Sequence, residues 1–240
     1  MIAAAYRAVQ GRVVDVASAA PDPAQNVAAC PAWSVADVVR HVTGIAADIV
    51  AGNLEGWPTE EWTAAQVALR SGRDLEEVVA EWNDLLEPLC AIFDDPDGWE
   101  PPQGMGSALK PIVGTATLSD LTQHEFDLRN AVGIPGDRSD PVVHMVATGY
   151  VKSLRPAFAT KGLPTLHIES TDLGRGWNLG HDEPSAVLRA TSFELMRTIG
   201  GRRTEEEVVT LDWEGDAVAF LAHVVSAANA NAKRSLGERE

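Results

Sequence analysis

The stretch SVADVVRHVTGIAADIVAGNL, residues 34–54, limits most strongly what this chain can fold into. Val35, Val38, Val42, Ile45, Ala46 and Ile49 recur at intervals of three and four, which draws one apolar stripe along an α-helix. Ser34 and Asp37 stand at capping-box spacing at its start, with Asp in the place of the better Glu. Such a stripe has to be buried, and the sequence supplies other helices to bury it.

Residues 2–19 read as a first helix, which PDPAQNVAACPAW then breaks. A short helix is expected at 59–70. DLEEVVAEWNDLLEPLCAIF follows, with Asp74 as its cap, acids in its first turn and Pro88 placed to kink it. DDPDGWEPPQGMG reads as a loop. TATLSDLTQHEFDLRNAV is the next helix, stopped by Gly133 and Pro135. SDPVVHMVATGYVKSLRPAF is the last long one, capped by Ser139 or Asp140 with Pro141 in its first turn. The fold class is therefore mainly α, a helical bundle over residues 1–160. From about 163 the texture changes. TLHIES alternates apolar and polar, RGWNLG and SAVLRA read as further short strands, and TSFELMRTIGG and EGDAVAFLAHVVSAANANA as helices. A small α+β domain is expected over 163–240, ending in a frayed tail, AKRSLGERE.

Composition removes several function classes. Lys and Arg number 19 against 35 Asp and Glu, a formal charge of −16. That field repels phosphate backbones and anionic lipid, so no nucleic-acid or membrane partner is expected. The N-terminus resembles a signal peptide only superficially, because Arg7, Gln10, Arg12 and Asp15 interrupt any apolar core. With no apolar run of spanning length either, the expected location is the cytoplasm. Cys30 and Cys90 lack metal-ligand spacing and are expected as buried, reduced thiols. GMGSALK (104–110) lacks the spacing of a phosphate loop, and no GxSxG or HExxH occurs.

What remains are histidines and carboxylates on helices. On a wheel of about 100° per residue, Leu118, Leu121, Leu128 and Val132 form the apolar arc of the helix before Gly133. His124 falls on its edge, Asp120 lies roughly 40° further round and Asp127 just beyond. Asp120 and His124, one turn apart, project the same way. Glu125 falls inside the apolar arc, and nothing in the sequence accounts for it. His41 also borders the apolar stripe of its own helix. If the two helices pack together, His41, Asp120 and His124 converge as two nitrogens and an oxygen, the donor set of a zinc site with an open position. Read from the wheels alone, the same residues also fit a helix-surface ion pair and packed core histidines. His144, His167, His181 and His223 read as packing or surface residues.

CPAWSVADVVRHVTG, with Pro31, Trp33, Ser34, Asp37 and His41, resembles the first motif of the mycothiol-dependent maleylpyruvate isomerase family. DLTQHEFDLRNAVG resembles its second motif, and the segment from GRGWNLG through VVTLDWEGD its small C-terminal domain. The resemblance implies a DinB-like four-helix bundle holding a divalent metal, usually zinc, through His41, Asp120 and His124. The family's glutamate is Asp120 here, one methylene shorter, and its tryptophan is Phe126. Asp127 keeps the family's aspartate, either holding His41 or His124 by the free ring nitrogen or pairing at the surface with Arg129 or Arg155. The implied cofactor beside the metal is mycothiol. The implied partners are that low-molecular-weight thiol and a small electrophile, and the implied activity is that of an isomerase or S-transferase; a homodimer is compatible with this. Arg202, in TIGGRRT, is the match to a functional arginine for an anionic substrate. The same bundle could instead serve as a non-catalytic metal-binding or interaction module, a reading that the change to Asp120 motivates.

Overall fold

The computed structural model describes residues 1–101 and 109–225 and divides the chain into two compact units, Met1–Ile134 and Pro135–Glu240. Most of GMGSALK and all of AKRSLGERE lie outside the described residues, as does the end of the helix expected in EGDAVAFLAHVVSAANANA.

In the first unit, α1 (Ile2–Ser18) is followed by a short antiparallel pair, β1 (Asn26–Val27) and β2 (Cys30–Ser34). Then come α2 (Val35–Ala51), α3 (Glu60–Ala68), α4 (Leu75–Asp94) and α5 (Val113–Val132). The four long helices pack in a ring, α1 on α5 and α4, and α2 on α4 and α5. Their stripes meet in a core that includes Val9, Val13, Val38, Trp82, Leu118 and Leu128. Trp82 meets its one polar need inside that core by donating Nε1–H to the Tyr6 hydroxyl at 3.0 Å.

The local signals act as their chemistry requires. Ser34 Oγ accepts from the Asp37 amide at 3.1 Å, and Asp37 Oδ2 accepts from the Ser34 amide at 3.0 Å, so the capping box forms. Asp74 and Glu77 form another at the start of α4, which continues through Pro88. Gly133 ends α5 with φ +78°, a left-handed conformation that disfavours any side chain with a Cβ.

Glu125, the carboxylate inside the apolar arc, is 2% exposed. Arg12 of α1 donates to both its oxygens, at 2.7 and 2.9 Å, and Arg129 adds a third bond at 2.9 Å. A bidentate guanidinium is the partner that makes a buried carboxylate tolerable. This cluster ties α5 to α1 from within the seam.

The second unit begins with α6 (Pro141–Ser153), capped by Asp140 with Pro141 in its first turn. The long helix expected here is interrupted at Leu154 and resumes as α7 (Arg155–Lys161), because Pro156 has no N–H to continue the ladder. There follow β3 (Leu166–Ser170), β4 (Arg175–Leu179), β5 (Ala186–Ala190), α8 (Ser192–Ile199), α9 (Glu205–Val208), β6 (Asp212–Gly215) and α10 (Val218–Val224). The sheet order is β4-β3-β5-β6, with β3 and β5 parallel and the outer pairs antiparallel. The three strands read from the sequence are present; β6 was not read. A sequence boundary near 160 marks where strands begin, whereas α6 packs on α8 within the second unit. His144 belongs to that packing, its Nδ1 lying 2.7 Å from the hydroxyl of the buried Ser192. His167 lies on the exposed sheet face, 2.5 Å from Asn178. Among the described residues, no helix is long and apolar enough to cross a membrane.

Two expectations follow for stability. Glu125→Ala leaves two guanidinium groups side by side and should cost about 3 kcal/mol in urea denaturation, the low end for breaking a buried pair because Arg12 partly meets water. For Asp37, burial would raise the carboxyl pKa, but hydrogen bonds from Ser34 and Arg40 outweigh it and hold it below the usual range. Its contribution is therefore present above an unfolded pKa of about 3.9 and lost as pH falls through the lower folded value. Asp37→Asn should be less stable than the parent protein near neutrality, with the gap closing in acid.

Candidate metal centre

The site lies in the first unit, between α2 and α5. His41 is in the second turn of α2, and Asp120 and His124 are one turn apart on α5. Both histidines are 4% exposed, whereas the Asp120 side chain is 38% exposed and gives the site its wet side. Nε2 of His41 lies 3.5 Å from Asp120 Oδ2, and Nε2 of His124 lies 3.7 Å from Asp120 Oδ1. The two imidazoles meet edge to face, with centroids 5.2 Å apart and planes at 81°. The structure thus brings together all three residues that the helix wheels picked out.

The far nitrogen of each ring is also held. His124 Nδ1 lies 3.1 Å from Asp127 Oδ2, and Asp127 is 1% exposed. Of the roles open to Asp127 from sequence, holding His124 is the one its position fits. His41 Nδ1 lies 2.8 Å from Oε1 of Gln66, whose amide nitrogen donates to Asp48 Oδ2 at 2.9 Å. An ionised carboxylate only accepts, so Asp127 requires a hydrogen on Nδ1 of His124. Asp48 likewise requires the amide nitrogen of Gln66 on its side, which turns the amide oxygen toward His41 and requires a hydrogen on Nδ1 there. In the neutral form, each ring then presents a lone pair on Nε2, the nitrogen that faces Asp120.

This donor set fits a divalent cation. The ligating atoms of His41, Asp120 and His124 all lie within 4.8 Å of one another. Donors about 2.0–2.1 Å from a tetrahedral zinc stand roughly 3.4 Å apart, close to the two contacts here. Each oxygen of the shorter aspartate faces a different histidine. Burial alone would hold His124 neutral, but Asp120, Asp127 and Cys30 outweigh it and push its pKa up to about 10. Electrostatically, the pocket is one that concentrates positive charge.

Two neighbours were not read from the sequence as parts of the site. The Trp33 ring of β2 lies 4.8 Å from the His41 ring and 6.1 Å from that of His124. Cys30, expected as a buried thiol, is half-buried instead, because β2 carries it to within 3.9 Å of both His124 Nδ1 and Asp127 Oδ2. Those three atoms form a second close donor group. Cys90 is buried as expected, with its thiol toward the Ala3 carbonyl. Arg202 belongs to the second unit, in the turn after α8, where it is 6% exposed and donates Nη1–H to the Gly200 carbonyl at 2.8 Å. Trp62 of α3 and Trp99 are buried, and Trp62 donates Nε1–H to the Asn53 carbonyl at 3.2 Å.

No curated protein matches the chain. Two crystal structures of the mycothiol-dependent maleylpyruvate isomerase, one of them a histidine-to-alanine mutant, share the fold at TM-scores of 0.60 and 0.59. Each is 12% identical in sequence; the matches cover 84% and 83% of this chain and 88% of each of those chains. Residues 3–129, more than half of the chain, match the family described as the mycothiol maleylpyruvate isomerase N-terminal domain. The chain belongs to that family.

Proposed function

We propose that this protein is a divalent-metal- and mycothiol-dependent enzyme that acts on a small electrophile, by cis–trans isomerisation or by S-transfer. The observation that carries the reading is the convergence of two Nε2 atoms on one carboxylate, with both Nδ1 atoms occupied by acceptors. Zinc, the divalent metal best matched to such a set, supplies a charge that converts a bound thiol of pKa about 8.5 to thiolate at neutral pH. His41 and His124 bring no charge as neutral ligands and Asp120 brings one negative charge, so the three together leave a divalent ion cationic and receptive to an anionic fourth ligand. Trp33 lays an apolar ring against His41 and limits water on that flank. Arg202 is assigned, from the resemblance, to bind an anionic group of the substrate. Isomerisation returns the thiol and S-transfer consumes it, so thiol stoichiometry separates the two activities.

Elemental analysis of the purified protein should find about one zinc per chain, absent from His41→Ala and His124→Ala. Metal-free protein whose heat stability in added zinc equals that of both variants would overturn the reading. Mycothiol at about 100 times its Kd should raise the stability of the zinc-loaded protein by roughly 2.7 kcal/mol. Zinc without any mycothiol shift would favour the second reading, a metal-binding module without catalysis, for which the shorter Asp120 is the motive.

A further inference from the structure

α3 is a short helix with only one buried edge, formed by Trp62 and Gln66 and continued by Arg70 just beyond its end. Gln66 is 1% exposed, an unusual place for an amide unless both of its ends are used. They are: its oxygen faces His41 Nδ1 at 2.8 Å, and its nitrogen donates to Asp48 Oδ2 at 2.9 Å. Asp48 is seven residues after His41 on α2, two turns along the same face. Its other oxygen accepts from Asn53 at 2.9 Å, so both oxygens of Asp48 are committed as acceptors. The approach of α3 depends on Gly44, where a Cβ would overlap the Gln66 side chain. Beyond Gln66, Arg70 donates to the Gln66 carbonyl at 3.2 Å and forms a two-pronged pair with Glu81 of α4 at 2.6 and 3.1 Å.

We propose that Asp48, acting through Gln66, sets which nitrogen of His41 carries the hydrogen and thereby which one is offered to the metal. Gln66 and Asp48 are positioning residues for a ligand that neither of them is. Three steps make the relay directional. Asp48 cannot donate, so the amide of Gln66 has one orientation. That orientation presents only an acceptor to His41. The acceptor holds the hydrogen on Nδ1 and leaves the lone pair on Nε2, 3.5 Å from Asp120. His124 has a direct acceptor in Asp127, on its own helix. His41 obtains the same result through a residue of another helix, so its tautomer depends on α3 remaining docked. The proposal rests on the metal reading above, and the experiment separates the two.

Gln66→Met keeps the length of the side chain but removes both polar ends. Zinc affinity, measured by competition with a chromophoric chelator, should fall roughly 10- to 100-fold, the usual effect of losing an outer partner of a ligating histidine. The double substitution Gln66→Glu with Asp48→Asn reverses the polarity of the relay: the amide introduced on α2 donates, the carboxylate introduced on α3 accepts on both sides, and the acceptor at His41 is restored. Its affinity should return to at least the parent level. In the zinc-loaded proteins, the His41 Nδ1 hydrogen should exchange slowly in the parent and the double variant and rapidly in Gln66→Met, as read by NMR. A loss under tenfold in Gln66→Met, a failure of the double variant to recover, or unchanged exchange at His41 would each overturn the relay. Failure of the metal reading looks different, since the parent protein then takes up no zinc. In that event, imidazole ¹⁵N shifts of metal-free protein, followed up the pH scale until the ring is neutral, still read the tautomer: the Nδ1–H form in the parent and its loss in Gln66→Met support the relay, and no difference overturns it.

Discussion

A neutral imidazole has one hydrogen and one lone pair, and an acceptor that claims the hydrogen decides where the lone pair points. Everything specific about this site follows from that constraint being met twice. Asp127 meets it for His124 from the next turn of α5. Gln66 meets it for His41 from α3, oriented in turn by Asp48. Take away the two acceptors and the same three side chains are two buried rings beside a carboxylate, free to present either edge. With them, a helical bundle becomes a site with two nitrogen donors aimed at one oxygen pair.

Charge is organised locally around that arrangement. The chain is strongly acidic, yet the first unit buries two arrangements of opposite character on one helix. On one side of α5, Asp120 and Asp127 flank His124 and favour a positive species there. About 100° round the same helix, Glu125 is a carboxylate whose charge is met by Arg12 and Arg129. The first arrangement is the one that the proposed function uses, and the second carboxylate is already satisfied. Adjacent residues therefore serve binding and packing without competing for partners.

Much of this was legible in the sequence because it is carried by local spacing. The capping box at Ser34, the stop at Gly133 and the shared direction of Asp120 and His124 depend on residues within one turn of each other. His41 was legible as a residue on the edge of an apolar stripe, and the resemblance joined it to the other two. Gln66 was not, because a lone glutamine on a short helix reads as solvent-facing until α2 packs against it. Cys30 was placed in the core from its residue type alone, whereas the β1–β2 pair carries it to the edge of the candidate metal centre. β6 was missed because DWEG has too few residues to show alternation; its pairing comes from β5, more than twenty positions earlier. The partner of Glu125 lies on α1, where only the tertiary fold brings it close.

The crowding of roles on α5 also governs how a lineage built on this helix can vary. His124, Glu125 and Asp127 fall within four consecutive positions, yet they look toward two different neighbourhoods. Sliding the helix by a single residue turns it by about 100°. In one sense that would point the ring at the arginines, and in the other it would point the carboxylate at Asp120 and His41. Gain or loss of residues is thus shut out of this segment and left to the connections between helices, where length can change without turning a site residue away. Descendants of such a chain would be expected to diverge by lengthening and shortening those connections, with α5 inherited in fixed phase.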